Sequence, residues 1–200
     1  GSKSVILGVK DDQMVATFTG AHGFANGLDA VLDVANVLIK RGYENKIKLL
    51  FIGDGIKKDQ LVKRKNDEKL DNCIFLDPVA KTDILKYLHA SDVGLMILDN
   101  VPAFYYGTSP NKFFDYIATG LPVLNNYPGW LADLITENKC GIAVPPKEPE
   151  IFANALIDMF ENPSKRKVMG SNARKLAENK FDRKNLANKL QELLLDHVNA

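Results

Sequence analysis

The chain has little cysteine, little histidine and almost no net charge, and each shortage excludes something. Cys73 and Cys140 are the only cysteines in 200 residues, too few and too far apart for a disulfide framework or a metal cluster. Both lie in apolar surroundings, so free thiols in a reducing cytoplasm are expected. No Cys/His constellation with metal-ligand spacing and no nucleophile-elbow sequence occurs, which leaves metal-hydrolase and serine-hydrolase readings without support. Lys plus Arg number 26 against 25 for Asp plus Glu, a formal charge of +1. No global field is available to hold a nucleic acid or an anionic membrane, and any polyanion site must be local. No apolar run approaches the roughly 18 to 20 residues that span a bilayer, and no basic-then-apolar start reads as a signal peptide. The opening Gly1-Ser2 pair reads as a vector remnant, so the chain is expected to be one part of a longer protein.

What remains is an ordinary globular composition, 46% hydrophobic and 26% charged with 14 Gly and 9 Pro. At this length residues 1–200 are read as one domain. Short apolar runs predict strands at Met14 to Gly20, Ile47 to Ile52, Cys73 to Leu76, Val93 to Leu98, Pro122 to Leu124 and Gly141 to Val144. Helical spacing separates them: Leu28 to Ile39, a charged stretch to about Lys65, a helix capped by Thr82 or Asp83, one opened by Ser109-Pro110 and running to about Thr119, and Trp130 to Asn138. About six strands alternating with helices predict an α/β, Rossmann-like, doubly wound parallel sheet covered on both faces. A helical tail is expected over Ile151 to Phe160, Lys165 to Asn179 and Asn185 to Val198.

In such sheets ligands bind beyond the carboxyl ends of the strands, where helix N-termini favour anions. Two loops qualify. Gly20-Ala21-His22-Gly23-Phe24-Ala25-Asn26-Gly27 follows the first strand, and its missing Cβ atoms open backbone amides to phosphate oxygens. Its glycine spacing departs from the dinucleotide fingerprint, so no nicotinamide cofactor is expected. His22 is either a phosphate or sugar contact or a simple polar loop residue. Gly53-Asp54-Gly55 is either a ligand contact or a tight turn in which Asp54 caps the next helix. The second loop leads into Ser109-Pro110-Asn111-Lys112, with Lys112 in the first helical turn, where a cation opposes the dipole unless an anion is bound. Its bland alternative is a Lys112 to Asp115 surface pair. Phe104, Tyr105 and Tyr106 precede that helix and suit either a sugar or base to stack on or a protein partner. Trp130, Phe113 and Phe114 are assigned to packing.

Taken in order, Thr17-Phe18-Thr19-Gly20 with Gly23 and Gly27-Leu28, then Leu50 to Gly55, His89 to Leu95, Ser109 to Asp115 and Ala118 to Val123 form a recognisable series. It resembles the C-terminal domain of family-4 retaining glycosyltransferases of the GT-B fold, and Gly141 to Pro145 continues it. The Ser-Pro-Asn-Lys-x-Phe-Asp-Tyr form is most similar to a fucosaminyltransferase-like branch of bacterial surface-polysaccharide assembly.

That resemblance implies a domain that binds a nucleotide-diphosphate-sugar donor, UDP-linked, with no other cofactor and no metal. An N-terminal domain outside this chain would hold a glycan or lipid-linked acceptor. The full enzyme would be cytoplasmic, with peripheral attachment at the inner membrane face, and this half alone would be inactive. By the same resemblance Gly20, His22, Gly23, Asn26, Ser109, Pro110, Asn111 and Lys112 would bind the diphosphate and Asp115 the ribose. Asp77, Pro78, Val79 and Ala80 would line the base pocket, and Tyr105, Tyr106, Gly107 and Thr108 would form the donor-sugar loop. The chain departs from the family at two places. Gly107 and Asp115 stand where many members carry paired glutamates, and Ala21 and Asn26 stand where many carry the phosphate-binding Arg and Lys. Lys112 would then supply the main positive charge. Two rivals are a nucleotide-sugar epimerase half and a non-catalytic scaffold domain of the same fold.

Overall fold

The computed structural model describes residues 3–99, 111–179 and 191. Its strands are β1 (Met14–Thr19), β2 (Ile47–Ile52), β3 (Cys73–Leu76), β4 (Val93–Met96), β5 (Val123–Asn125) and β6 (Gly141–Ala143). Its helices are α1 (Lys3–Leu7), α2 (Asp29–Lys40), α3 (Lys58–Asp67), α4 (Lys81–His89), α5 (Asn111–Ala118), α6 (Trp130–Glu137), α7 (Pro149–Glu161) and α8 (Pro163–Asn179). The strands form one parallel sheet in the order β3-β2-β1-β4-β5-β6. The predicted doubly wound, Rossmann-like sheet is therefore what the chain adopts.

The near-continuous apolar strands are explained by burial on both faces. Along β1, Met14, Ala16 and Phe18 enter the core under α2 and α7, while Val15 enters a smaller one with Leu7, Leu50 and Ala90. A third cluster holds Met96, Val123 and Cys140 beneath α5, α6 and α8. Phe113 is completely buried there, Phe114 nearly so, and Trp130 packs on its edge. Cys73 and Cys140 are free and buried, and burial pushes their thiols up to about 12 and about 11, which makes them inert at neutral pH. No helix among the described residues is long and apolar enough to cross a membrane.

Helix starts differ from the sequence reading. The α4 helix begins at Lys81, because the extended Ala80 (ψ 147) turns its carbonyl to the amides of Asp83 and Ile84. Thr82 and Asp83 thus lie inside the first turn and do not cap it. Asp54 does not cap α3 either, since its carboxylate accepts from the Gly55 amide within the turn. The short α1 was not anticipated. Of the tail, α7 and α8 match the first two predicted helices, and the third lies outside the described residues but for Gln191.

The contact that fixes α5 on the sheet is made by Tyr116. Its hydroxyl accepts from the Thr19 amide (3.2 Å) and donates to the Leu95 carbonyl (3.0 Å), tying β1 to β4. Its ring lies so close to β4 that a Cβ at Gly94 would stand 2.5 Å from it. Gly94→Ala is therefore expected to lose about 1–3 kcal/mol in urea unfolding. A change below about 0.5 kcal/mol would show that the ring is not seated there.

Candidate functional site

Strand order reverses between β1 and β4, so the loops leaving their carboxyl ends diverge and open a crevice. The glycine loop after β1 forms one wall, and α5 brings its N-terminus to the other. The loop is tied to its neighbours by backbone bonds. The Gly20 amide donates to Ile52, the His22 amide to Asp54, the Lys57 amide to His22 and the Asp99 amide to Ala25. Gly53 (φ 148) allows this approach, because a Cβ there would lie 2.0 Å from the Gly20 carbonyl oxygen.

His22 lies under this loop with no exposed surface. Its Nδ1 lies 2.9 Å from the Gly20 carbonyl, which can only accept, so Nδ1 carries the proton. Phe18, Phe51 and Phe75 surround the ring at 6.0–6.4 Å between centroids. Nε2 is buried without a partner. Burial lowers the pKa below its ordinary 6.5, against the opposing Gly20 bond. The ring is thus a neutral strut that holds Gly20, and its direct contact with a phosphate, expected from sequence, has no exposed atom to make it.

Lys112 enters the crevice from α5. Its Nζ lies 3.9 Å from the centroid of Phe18 and beside Gly20, where a Cβ would approach it to 2.9 Å. The side chain is half-buried, and desolvation lowers its pKa from 10.5 to about 8. No carboxylate among the described residues pairs with it, so the expected alternative of a Lys112–Asp115 surface pair is absent. The cation is disfavoured by burial and by the helix N-terminus, and among the described residues the face of the Phe18 ring is what attracts it.

The family model for glycosyl transferases group 1 matches residues 2–176. The chain belongs to that family. A D-inositol 3-phosphate glycosyltransferase of Corynebacterium urealyticum is 25% identical over 198 residues, covering 94% of this chain and 44% of the relative. The Anabaena Alr3699/HepE structure in complex with UDP-glucose superposes with a TM-score of 0.73 at 19% identity, over 96% of this chain and 51% of that one. The C-terminal domain of a group 1 glycosyl transferase, LpcC of Francisella tularensis, gives 0.72 at 17% identity, over 90% of this chain and 92% of that domain. This group 1 chain thus spans about half the length of its longer relatives and matches a C-terminal domain nearly end to end.

The other predicted site residues are placed unevenly. Gly20 and Ala21 are exposed on the crest of the loop, Gly23 and Asn26 are half-buried, and the Asn26 amide folds back onto the Ala21 carbonyl. Asn111 is exposed at the start of α5 and Asp115 half-buried on its next turn. Asp77, Pro78 and Ala80 are exposed beyond β3, with Val79 packed against the small core. Phe104, Tyr105, Tyr106, Gly107, Thr108, Ser109 and Pro110 lie outside the described residues. A cleft of about 510 Å³ opens beside the loop, bounded by Gly23, Phe24, Lys57, Asp99 and Lys147. Of the predicted site residues only Gly23 reaches its described wall.

Three residues of this arrangement escaped the sequence reading. Lys58 bonds the Gly53 and Leu76 carbonyls (2.7 and 3.1 Å) and Asp77 (3.2 Å), joining the predicted base segment to the turn after β2. Phe18 reads as core from its strand, and Tyr116 as helix packing. Spacing carries no signal that separates such roles from burial.

The neutral state of His22 has a consequence for stability. The unfolded chain takes up a proton near pH 6.5 and the folded chain only at lower pH, so this contribution is complete above 6.5 and is lost as pH falls below it. Urea stability measured from pH 7.5 to 5 is expected to decline, and His22→Gln, which cannot take up that proton, to decline less steeply. Parallel profiles for the two proteins would show that His22 takes up its proton at the same pH in the folded and the unfolded chain.

Proposed function

We propose that this chain is the donor-binding half of a retaining glycosyltransferase and that its donor is a UDP-linked sugar. The observation that carries the reading is Lys112, an ammonium that no carboxylate among the described residues pairs with, at the switch point and beside the exposed backbone of Gly20. Support comes from the structural neighbour whose complex holds UDP-glucose and from the match to a C-terminal domain.

In this reading the diphosphate lies between the Gly20–Gly23 backbone and the N-terminus of α5, against Lys112. Asp115 takes the ribose hydroxyls, and the segment Asp77 to Ala80 lines the base. The residues from Tyr105 to Thr108 meet the donor sugar, and Ser109 and Pro110 contact the diphosphate. As the glycosidic bond breaks, charge builds on the departing diphosphate and an oxocarbenium-like sugar forms. The positioned amides and Lys112 oppose that growing negative charge, and no covalent step involves this half. The acceptor, a glycan or lipid-linked sugar of surface-polysaccharide assembly, belongs to the rest of the protein, and the branch is the fucosaminyltransferase-like one.

Lys112→Ala is expected to weaken UDP binding by about 10- to 100-fold in calorimetric titration and to leave uridine within about twofold, because a charge-assisted phosphate contact is lost. Equal losses for both ligands would remove the phosphate role. Lys112 is cationic below about pH 8 in the free chain, so UDP affinity should fall as pH rises through and beyond that value. The fall is expected to vanish in Lys112→Ala, and a flat profile in the unaltered chain would contradict the assignment.

A further inference from the structure

We propose that Phe18 is a positioning residue for the diphosphate-binding cation, its ring face holding the Lys112 ammonium beside Gly20 where the leaving diphosphate would meet it. The inference rests on the donor-site reading above.

A lysine ammonium ends a stem of four methylenes and is not fixed by its own covalent geometry. Something must hold it. A carboxylate would do so at the cost of function, since it would neutralise the charge and compete with the phosphate oxygens for the same N–H donors. The face of an aromatic ring attracts the cation through its quadrupole and accepts no conventional hydrogen bond. At 3.9 Å from the Phe18 centroid, Nζ is held while its donors stay open to an incoming anion.

The surroundings of Phe18 keep the ring in place. It is fully buried in β1, two residues before Gly20, and the edge of His22 packs on it at 6.0 Å and a 73° interplanar angle. Gly20 completes the fit, because a Cβ there would stand 2.9 Å from Nζ and 3.4 Å from Cε. The arrangement also fits the composition of the glycine loop. Ala21 and Asn26 bring no charge from β1, so the cation arrives from α5 across the crevice and needs a platform on the β1 side.

The test replaces Phe18 by leucine, which keeps most of the buried volume, and separately by pentafluorophenylalanine, which keeps the shape and inverts the quadrupole. UDP and uridine affinities and the Lys112 side-chain titration by NMR are measured on the 200-residue chain, with melting curves as a control for folding. Both variants are expected to weaken UDP by about 5- to 30-fold with uridine unchanged, the range a desolvated cation–π contact supplies. Both should also lower the pH at which Lys112 loses its proton, and neither should weaken UDP further in a Lys112→Ala background. If the fluorinated variant keeps both the UDP affinity and the Lys112 titration of the parent, the proposal is overturned. If the unaltered chain does not prefer UDP to uridine, the donor-site reading fails on its own. The Lys112 titration then still decides whether Phe18 holds the ammonium.

Discussion

Tyr116 is the residue on which the arrangement depends. Its hydroxyl receives a bond from β1 and gives one to β4, at the two strands between which the sheet reverses its order. A tyrosine can do both only while protonated, and burial pushes its phenol up to about 12, so it remains a donor at any physiological pH. The ring then needs a floor without a side chain, which Gly94 supplies. Lys112 lies one helical turn before Tyr116, on the same face of α5. Anchoring Tyr116 therefore sets where the ammonium enters the crevice.

The opposite wall is fixed in a different way. The glycine loop has few side chains of its own to pack, and it is held through its backbone by the turn after β2 and the segment after β4. Such contacts demand glycine where chain meets chain, as at Gly27, whose Cβ would lie 2.7 Å from the Asp99 backbone. The His22 ring fills the space beneath and bonds the Gly20 carbonyl. One buried nitrogen goes without a partner there, at a cost on the order of 1–3 kcal/mol. Backbone bonds on both sides hold the loop in place, and in the donor-site reading a loop so held has less to order on binding.

The fold was legible because its strongest signal is local. Buried parallel strands must be apolar on both faces, and runs such as Ile47–Ile52 and Val93–Met96 admit little else. Helix starts were less legible. Ala80 precedes α4 and Asp54 precedes α3, and in each case backbone geometry decided what capping propensity predicted otherwise. Within the site, the placement of Lys112 in the first turn of α5 followed from sequence, whereas its partner did not. Phe18 stands near the carboxyl end of an apolar strand, and only the three-dimensional approach of α5 distinguishes it from Ala16 or Phe51. His22 failed for the converse reason. Glycines surround it in sequence, which suggests exposure, while three phenylalanines surround it in space.

In the donor-site reading, a positive charge carried by α5 and not by the glycine loop changes what the crevice asks of a ligand. A cation borne by the loop would move with the loop and could follow a phosphate. One that crosses from α5 is held by a helix pinned through Tyr116 and by a ring buried in β1, so its position is set by the sheet itself. The ligand must then come to the charge. Coulombic attraction in a partly desolvated crevice is screened less than at an exposed surface, so a single well-placed ammonium there counts for more than a solvated one. In that reading the α5 cation stands in for the charge that Ala21 and Asn26 do not bring to the glycine loop.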